Sequence, residues 1–232
     1  MKKWMLLCAT CFLLSACQLV PGKQVIIEWV DVIQWDGQQY EAVYEMVLAD
    51  RSFIDREIGE VSFKVADNVT NTSYKFKDGD AAFHEKGTKL YAIKGLEDAI
   101  AIEDLSVING YRIYIMREDP PNRWLFEQVP LEKVQKIEFY TFSNEKGNQK
   151  TASYTDQSDL DEIQIILANS QLAPSFEPNV SNGDTIRYDV LLYTDEAIAF
   201  QYGIQFDGAT YFWFPFEKAI LPNDIQPFLL ND

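Results

Sequence analysis

His84 is the one histidine in 232 residues, so any Ser-His-Asp or Cys-His arrangement would have to use it. It lies in DAAFHEKGTKLY beside Glu85 and Lys86, and no nucleophile motif occurs elsewhere in the chain. It reads as a surface or turn histidine, and no catalytic residue is assigned. Zinc needs several cysteine or histidine ligands at set spacings, which this composition does not offer. Neither G-x-x-x-x-G-K-[ST] nor G-x-G-x-x-G is present, so no nucleotide cradle and no cofactor is expected.

Carboxylates are plentiful, so chemistry built on them is the remaining option. Asp78 and Asp80 in KDGDAAFHE, with Glu85 nearby, form a candidate cation group. The segment lacks the D-x-[DN]-x-[DN]-G spacing and the twelfth-position glutamate of a calcium loop, and a turn between strands explains it equally. No metal site is assigned. A glycosidase needs two carboxylates a few ångströms apart, and sequence alone does not pair them. The aromatic run YFWFPF, residues 211–216, is the most suggestive surface. Aromatics on both faces of a strand mean either burial on both sides or a platform for a sugar ring or peptide. Pro215 lacks a ladder donor and suggests an edge or strand end. Tyr211, Trp213 and Phe214 are therefore a candidate ligand surface, with core packing as the competing reading.

The N-terminus is more explicit. Lys2 and Lys3 precede an apolar run, Trp4 to Leu14, of secretory-signal length and too short to span a bilayer as a helix. The run ends in Leu14-Ser15-Ala16-Cys17, which resembles the lipobox of bacterial lipoproteins. That resemblance implies a diacylglyceryl group on the Cys17 thiol, cleavage before it, and anchorage at the extracytoplasmic face of the cell membrane. Two acyl chains matter, because one gives only marginal, reversible binding. An ordinary signal peptide with an incidental cysteine is the competing reading. Cys8 and Cys11 would be discarded with residues 1–16, so their C-x-x-C spacing is not read as a zinc or redox site. The mature domain then has no disulfide and must rest on its core.

Removing 16 residues from 232 leaves 216, enough for one large or two small domains, and 47% hydrophobic content excludes a disordered stalk. The formal net charge of −16 becomes −18 without Lys2 and Lys3. Such a surface repels polyanions, so nucleic-acid binding is not expected.

The elements that must position these groups are mostly strands. After a tether at 17–23, VIIEWVDVIQW ends in Asp36-Gly37, which suits the two positive-φ positions of a type I′ turn. That turn places Trp35 opposite Gln38 and Ile33 opposite Tyr40, with Ile33, Trp35 and Tyr40 on one face. EVSFKVADNV and GTKLYAIKG follow, and Asn109-Gly110 marks a second hairpin turn. Asp119-Pro120-Pro121-Asn122 then breaks the pattern. Beyond it, QKIEFYTF and QKTASYT flank a Lys146-Gly147-Asn148 turn. One main helix is predicted over about 158–169, capped by Ser158, with Leu160, Ile163, Ile166 and Leu167 on its inner face. Ile198, Phe200, Tyr202, Ile204 and Phe206 alternate strictly along a later strand.

These signals predict an α+β, β-rich fold of antiparallel hairpins and meanders, with a β-rich domain at 24–118 and an α+β domain at 124–232. IQWDGQQY at 33–40 and IQFDGATY at 204–211 look duplicated, but their flanks do not match. Convergent hairpin chemistry, with an Asp-Gly I′ turn and tyrosine opposite isoleucine in both, is the expected reason.

VDVIQWDGQQYEAVY, EVSFKVADNV, KDGDAAFHEKGTKLYAIKG and INGYRIYIM together resemble an N-terminal module of Gram-positive, bacillus-type lipoproteins, across roughly Val30 to Arg117. The resemblance implies an envelope location and a compact β-rich domain, and it carries no catalytic residue. The expectation is a membrane-anchored, non-catalytic binding or interaction module whose partner is an envelope protein or wall component. A carboxylate-based hydrolase acting on cell-wall glycans is the alternative, and a calcium-stabilised structural protein resting on Asp78 and Asp80 is a third reading.

Overall fold

The computed structural model describes residues 28–116, 126, 129–181, 183–214 and 218–230. They comprise 45% strand against 15% helix, in antiparallel sheets with one main helix, which places the chain in the β-rich α+β class expected of it.

Residues 32–116 supply β1 (Val32–Trp35), β2 (Gln38–Val43), β3 (Met46–Leu48), β4 (Ile54–Glu60), β5 (Phe63–Lys64), β6 (Asp80–Ala81), β7 (Lys89–Ile93), β8 (Leu96–Glu103) and β9 (Tyr111–Met116). All but β3 form one sheet in the order β4-β7-β8-β9-β2-β1-β6-β5. β4 and β5 stand at opposite ends of this order, yet only Val61 and Ser62 separate them in the chain. The sheet therefore curls until its two edges are one continuous run, making a small barrel. The Val61 amide bonds the Thr88 carbonyl at 2.9 Å on one side, and the Ser62 amide bonds the Gly79 carbonyl at 2.7 Å on the other. The two ends are joined through the chain, with β4 bonded to β7 and β5 to β6. Ile33, Tyr40, Leu90, Ile100, Ile102 and Tyr114 fill the interior. The alternate residues of β8 and β9, Ala99, Ala101 and Ile113, pack outward against Met46, Leu48, Ala197 and Ile198.

The second sheet takes β10 (Lys136–Ser143), β11 (Gly147–Tyr154), β12 (Gln171–Leu172), β13 (Ile186–Tyr193), β14 (Ile198–Phe206), β15 (Tyr211–Phe214) and β16 (Ala219–Leu221), in the order β11-β10-β13-β14-β15-β16-β12. Helix α1 (Gln157–Ala168) buries Leu160, Ile163, Ile166 and Leu167 against this sheet, as the periodicity predicts. A short α2 (Gln226–Leu229) closes the same core, with Leu229 buried. The start of α1 differs from expectation. Asp156, not Ser158, occupies the cap position, and its carbonyl accepts from the amides of Asp159 at 3.1 Å and Leu160 at 3.0 Å. The helix thus begins before Ser158 can cap it.

β3 leaves the barrel altogether. It adds to β14, pairing Leu48 with Ile198, Val47 with Ala199 and Met46 with Phe200. β14 is long enough to serve both halves: β15 takes 203–206 on that edge and β3 takes 198–200.

Two expected turns are corrected. Asn109 and Gly110 do have positive φ, 62° and 77°, but they close a seven-residue connection rather than a two-residue hairpin. The Asn109 side chain donates to the Leu48 carbonyl at 2.8 Å, so this residue ties the barrel loop to β3. The two octets also part company. Asp36 and Gly37, at φ 50° and 73°, make the I′ turn with Ile33 opposite Tyr40. In the second octet Tyr211 faces Phe206 and Trp213 faces Ile204, across a longer loop in which Asp207 lies outside the positive-φ region. The Asp207 carboxylate accepts instead from the amides of Ala209 at 3.0 Å, Thr210 at 2.8 Å and Asn179 at 3.0 Å.

Candidate functional site

The I′ turn fixes the register that sends Ile33 and Tyr40 into the barrel and leaves Trp35 at its end. Ile100 reaches the same end from β8 and Ile58 from β4. Gly59 allows the closure: a Cβ there would lie 2.0 Å from Trp35 Cη2 and 2.4 Å from Cζ2, so the indole ring rests where a side chain would be. Together these residues floor an open groove of about 1130 Å³ at the barrel mouth. The mouths of β-barrels are recurrent ligand sites.

The rim is acidic. Asp36, Asp55, Glu57, Asp78 and Glu97 line it against only Arg56 and Lys94. Both cations are occupied: Arg56 Nη1 bonds Asp55 at 3.0 Å, and Lys94 Nζ donates to the Ser52 carbonyl at 2.5 Å. Glu57 pairs with Lys89 at 3.0 Å, outside the groove lining. Asp36 and Glu97 form no ion pair among the described residues. Burial raises the Tyr40 hydroxyl above its usual range, and the charges of Asp36 and Asp98 raise it further. The floor therefore lies in a negative field.

Asp78 and Asp80 are built into the structure. Asp78 Oδ1 accepts from the Gly37 amide at 2.9 Å, and Asp80, 5% exposed, accepts from Tyr74 Oη at 2.7 Å and the Lys77 amide at 2.8 Å. Asp78 pins the loop before β6 to the I′ turn, and Asp80 fastens that loop back on itself. Among the described residues no cluster of three or more histidine, cysteine, aspartate or glutamate side chains is placed to hold a metal.

The aromatic run is mostly core. Tyr211 and Trp213 are each 4% exposed, while Phe214 is 45% exposed. Tyr211 stacks on Phe206 at 4.3 Å, and Trp213 stacks on Phe126 at 5.1 Å and donates from Nε1 to Ser170 Oγ at 2.8 Å. A platform made of all three side chains is thus corrected to one exposed ring; residues 215–217 lie outside the described residues. Cys17 does too. Among the described residues no helix is long and apolar enough to cross a membrane.

Two polar networks escaped the sequence reading. His84 is not a free surface histidine. Its Nε2 meets the hydroxyl of Tyr114, which donates to Asp31 Oδ1 at 3.1 Å, and Tyr44 donates to Asp31 Oδ2 at 3.3 Å. Burial foremost lowers the His84 pKa. Second, Glu138 is 3% exposed beneath the β8–β9 connection. Its Oε2 accepts from Tyr140 and Tyr193, each at 2.8 Å, and its Oε1 meets Lys150 at 3.0 Å and Lys136 at 3.1 Å. Burial pushes this carboxyl up, but hydrogen bonds from Tyr193, Tyr140, Lys150 and Lys136 outweigh it and hold the pKa at about 2. Neither cluster has a sequence motif: Lys136, Glu138 and Tyr140 alternate on β10, but Tyr193 joins them from β13, and His84 and Tyr114 meet from segments 30 residues apart.

Comparison with protein-family models, with curated proteins and with solved structures found no match.

Proposed function

We propose that the protein is a membrane-anchored extracytoplasmic lipoprotein acting as a non-catalytic binding module, with its ligand held in the barrel mouth. The groove carries this reading: an apolar, aromatic floor of Trp35, Tyr40, Ile58 and Ile100 beneath a polar rim, at the mouth of the barrel. Anchorage rests on the signal and Leu14-Ser15-Ala16-Cys17. A lipidated Cys17 would leave ten residues, 18–27, before the described ones, a chain length that reaches at most about 35 Å from the membrane surface.

The hydrolase reading receives less support. A glycosidase needs one carboxyl raised toward neutrality as its acid. Every described carboxylate with a displaced pKa, namely Asp50, Glu60, Asp104, Glu138 and Asp207, is lowered instead.

The first experiment is thermal unfolding of the full-length chain in detergent, scanned against wall glycans, peptides and divalent cations. Binding stabilises the native state by mass action, by roughly 2.7 kcal/mol at a hundred times Kd, and so raises the midpoint. A shift that Trp35→Ala abolishes places the ligand in the mouth. Reproducible turnover of a wall-derived substrate by the purified protein would overturn the reading. In cells, Cys17→Ala is expected to abolish lipid labelling, and retained labelling would refute the anchor.

A further inference from the structure

The floor and the rim of the groove make separate demands on whatever fills it. Trp35 and Ile58, both half-buried, offer the accessible apolar area, with Tyr40 buried behind them, so an occupant must bring an apolar body. Asp36 and Glu97 are exposed and have no ionic partner among the described residues, so a cationic occupant gains an attraction that a neutral one does not. An anionic one would face five lining carboxylates against two lining cations, one of them already paired with Asp55. A cation satisfies rim and floor together, since ammonium and guanidinium groups also bind the faces of indole and phenol rings. Size adds a further limit. An open groove of about 1130 Å³ exceeds what one amine needs and suits an extended segment of several residues.

Resting on the binding reading above, we propose that the barrel mouth takes an amphipathic cationic peptide segment, with a lysine or arginine head between Asp36 and Glu97 and its apolar neighbours on Trp35 and Ile58. The formal charge of −16 would draw such a segment to the protein from a distance, and salt would weaken the attraction. A neutral glycan uses the floor alone, and an anionic wall polymer is repelled by the rim.

The test is calorimetric titration of the full-length chain in detergent with four capped probes. They are a hexamer alternating lysine and leucine, one alternating glutamate and leucine, one alternating lysine and serine, and a neutral muramyl oligosaccharide. The lysine–leucine hexamer is expected to bind best, with the glutamate hexamer at least tenfold weaker and the lysine–serine hexamer weakened by loss of the floor contacts. Asp36→Asn with Glu97→Gln is expected to weaken the lysine–leucine hexamer at least tenfold. Asparagine tolerates the positive φ at position 36, and an unchanged melting curve for this variant certifies its fold. Equal affinity for the glutamate hexamer, equal affinity for the lysine–serine hexamer, or no effect of the double substitution overturns the cationic-peptide inference while leaving a binding module. Binding of the oligosaccharide alone does the same. Silence from all four probes overturns the cationic-peptide inference, and the absence of a thermal shift across the wider panel of glycans, peptides and cations would remove the barrel-mouth reading with it.

Discussion

Replacing Glu138 with glutamine should remove a large, pH-dependent part of the stability. Glu138 is nearly inaccessible and accepts from two tyrosine hydroxyls and two ammonium groups, all within 3.1 Å. Its pKa falls from the ordinary 4.5 to about 2 in the fold. At about 1.4 kcal/mol per pH unit that separation corresponds to about 3 kcal/mol. Lys136 and Lys150 are partly exposed, so solvent screening brings the expected contribution to about 2–3 kcal/mol. The sign follows from the depressed value. The contribution is complete above pH ~5.5, declines as protons bind the unfolded chain near 4.5, and is gone below about pH 2. Glu138→Gln keeps an oxygen for the tyrosines but offers the lysines no charge. Breaking such a buried pair costs up to about 3–5 kcal/mol, and the lysines' access to water favours the lower end. Urea unfolding at pH 7 and pH 3 measures both numbers. Wild type should exceed the variant by about 2–3 kcal/mol at pH 7, and the gap should shrink by more than half at pH 3. A gap below 1 kcal/mol at pH 7, or one that does not change with pH, would refute the network as drawn.

Gly59→Ala should displace the Trp35 indole, destabilising the fold by about 1–3 kcal/mol and changing indole emission, because the new methyl would occupy the ring's position; an unchanged melt and spectrum would contradict the barrel closure. Tyr114→Phe leaves His84 and Asp31 without their shared hydroxyl and should cost about 1–3 kcal/mol by urea titration. His84 itself has a lowered pKa, so its contribution is present above the ordinary 6.5 and declines as pH falls below it. His84→Gln should flatten the stability profile between pH 7 and pH 5. Millimolar calcium should leave the melting temperature unchanged, since the amides of Gly37 and Lys77 and the Tyr74 hydroxyl already occupy Asp78 and Asp80; a rise of several degrees would revive the cation site.

Much of the local structure was legible. The faces of β14 and α1 and the Asp36-Gly37 hairpin follow from patterns spanning a few residues, where alternation and tolerance of positive φ decide the outcome. The groove was half legible. Trp35 and Tyr40 were placed together by the turn, but the rim on β4 and β8 joins them only because the barrel closes. Tyr211 and Trp213 were ambiguous because an all-aromatic strand has no alternation, and only the packing of Phe206, Phe126 and Ser170 makes them core.

By itself, the sequence determined the strand-rich composition, the inner face of the helix and the acidic surface, all of which depend on residue type and near neighbours. Tertiary structure decided the rest. The letters Ile-Gln-aromatic-Asp-Gly fold into an I′ turn at 33–37, where Asp78 receives the Gly37 amide, and into an aspartate-capped loop at 204–208, where Asp207 gathers three amides of its own. β3, written in the first half of the chain, pairs with β14 in the second. Hydrogen-bond partners of this kind are chosen by what lies across space, and short-range pattern carries no information about distant strands.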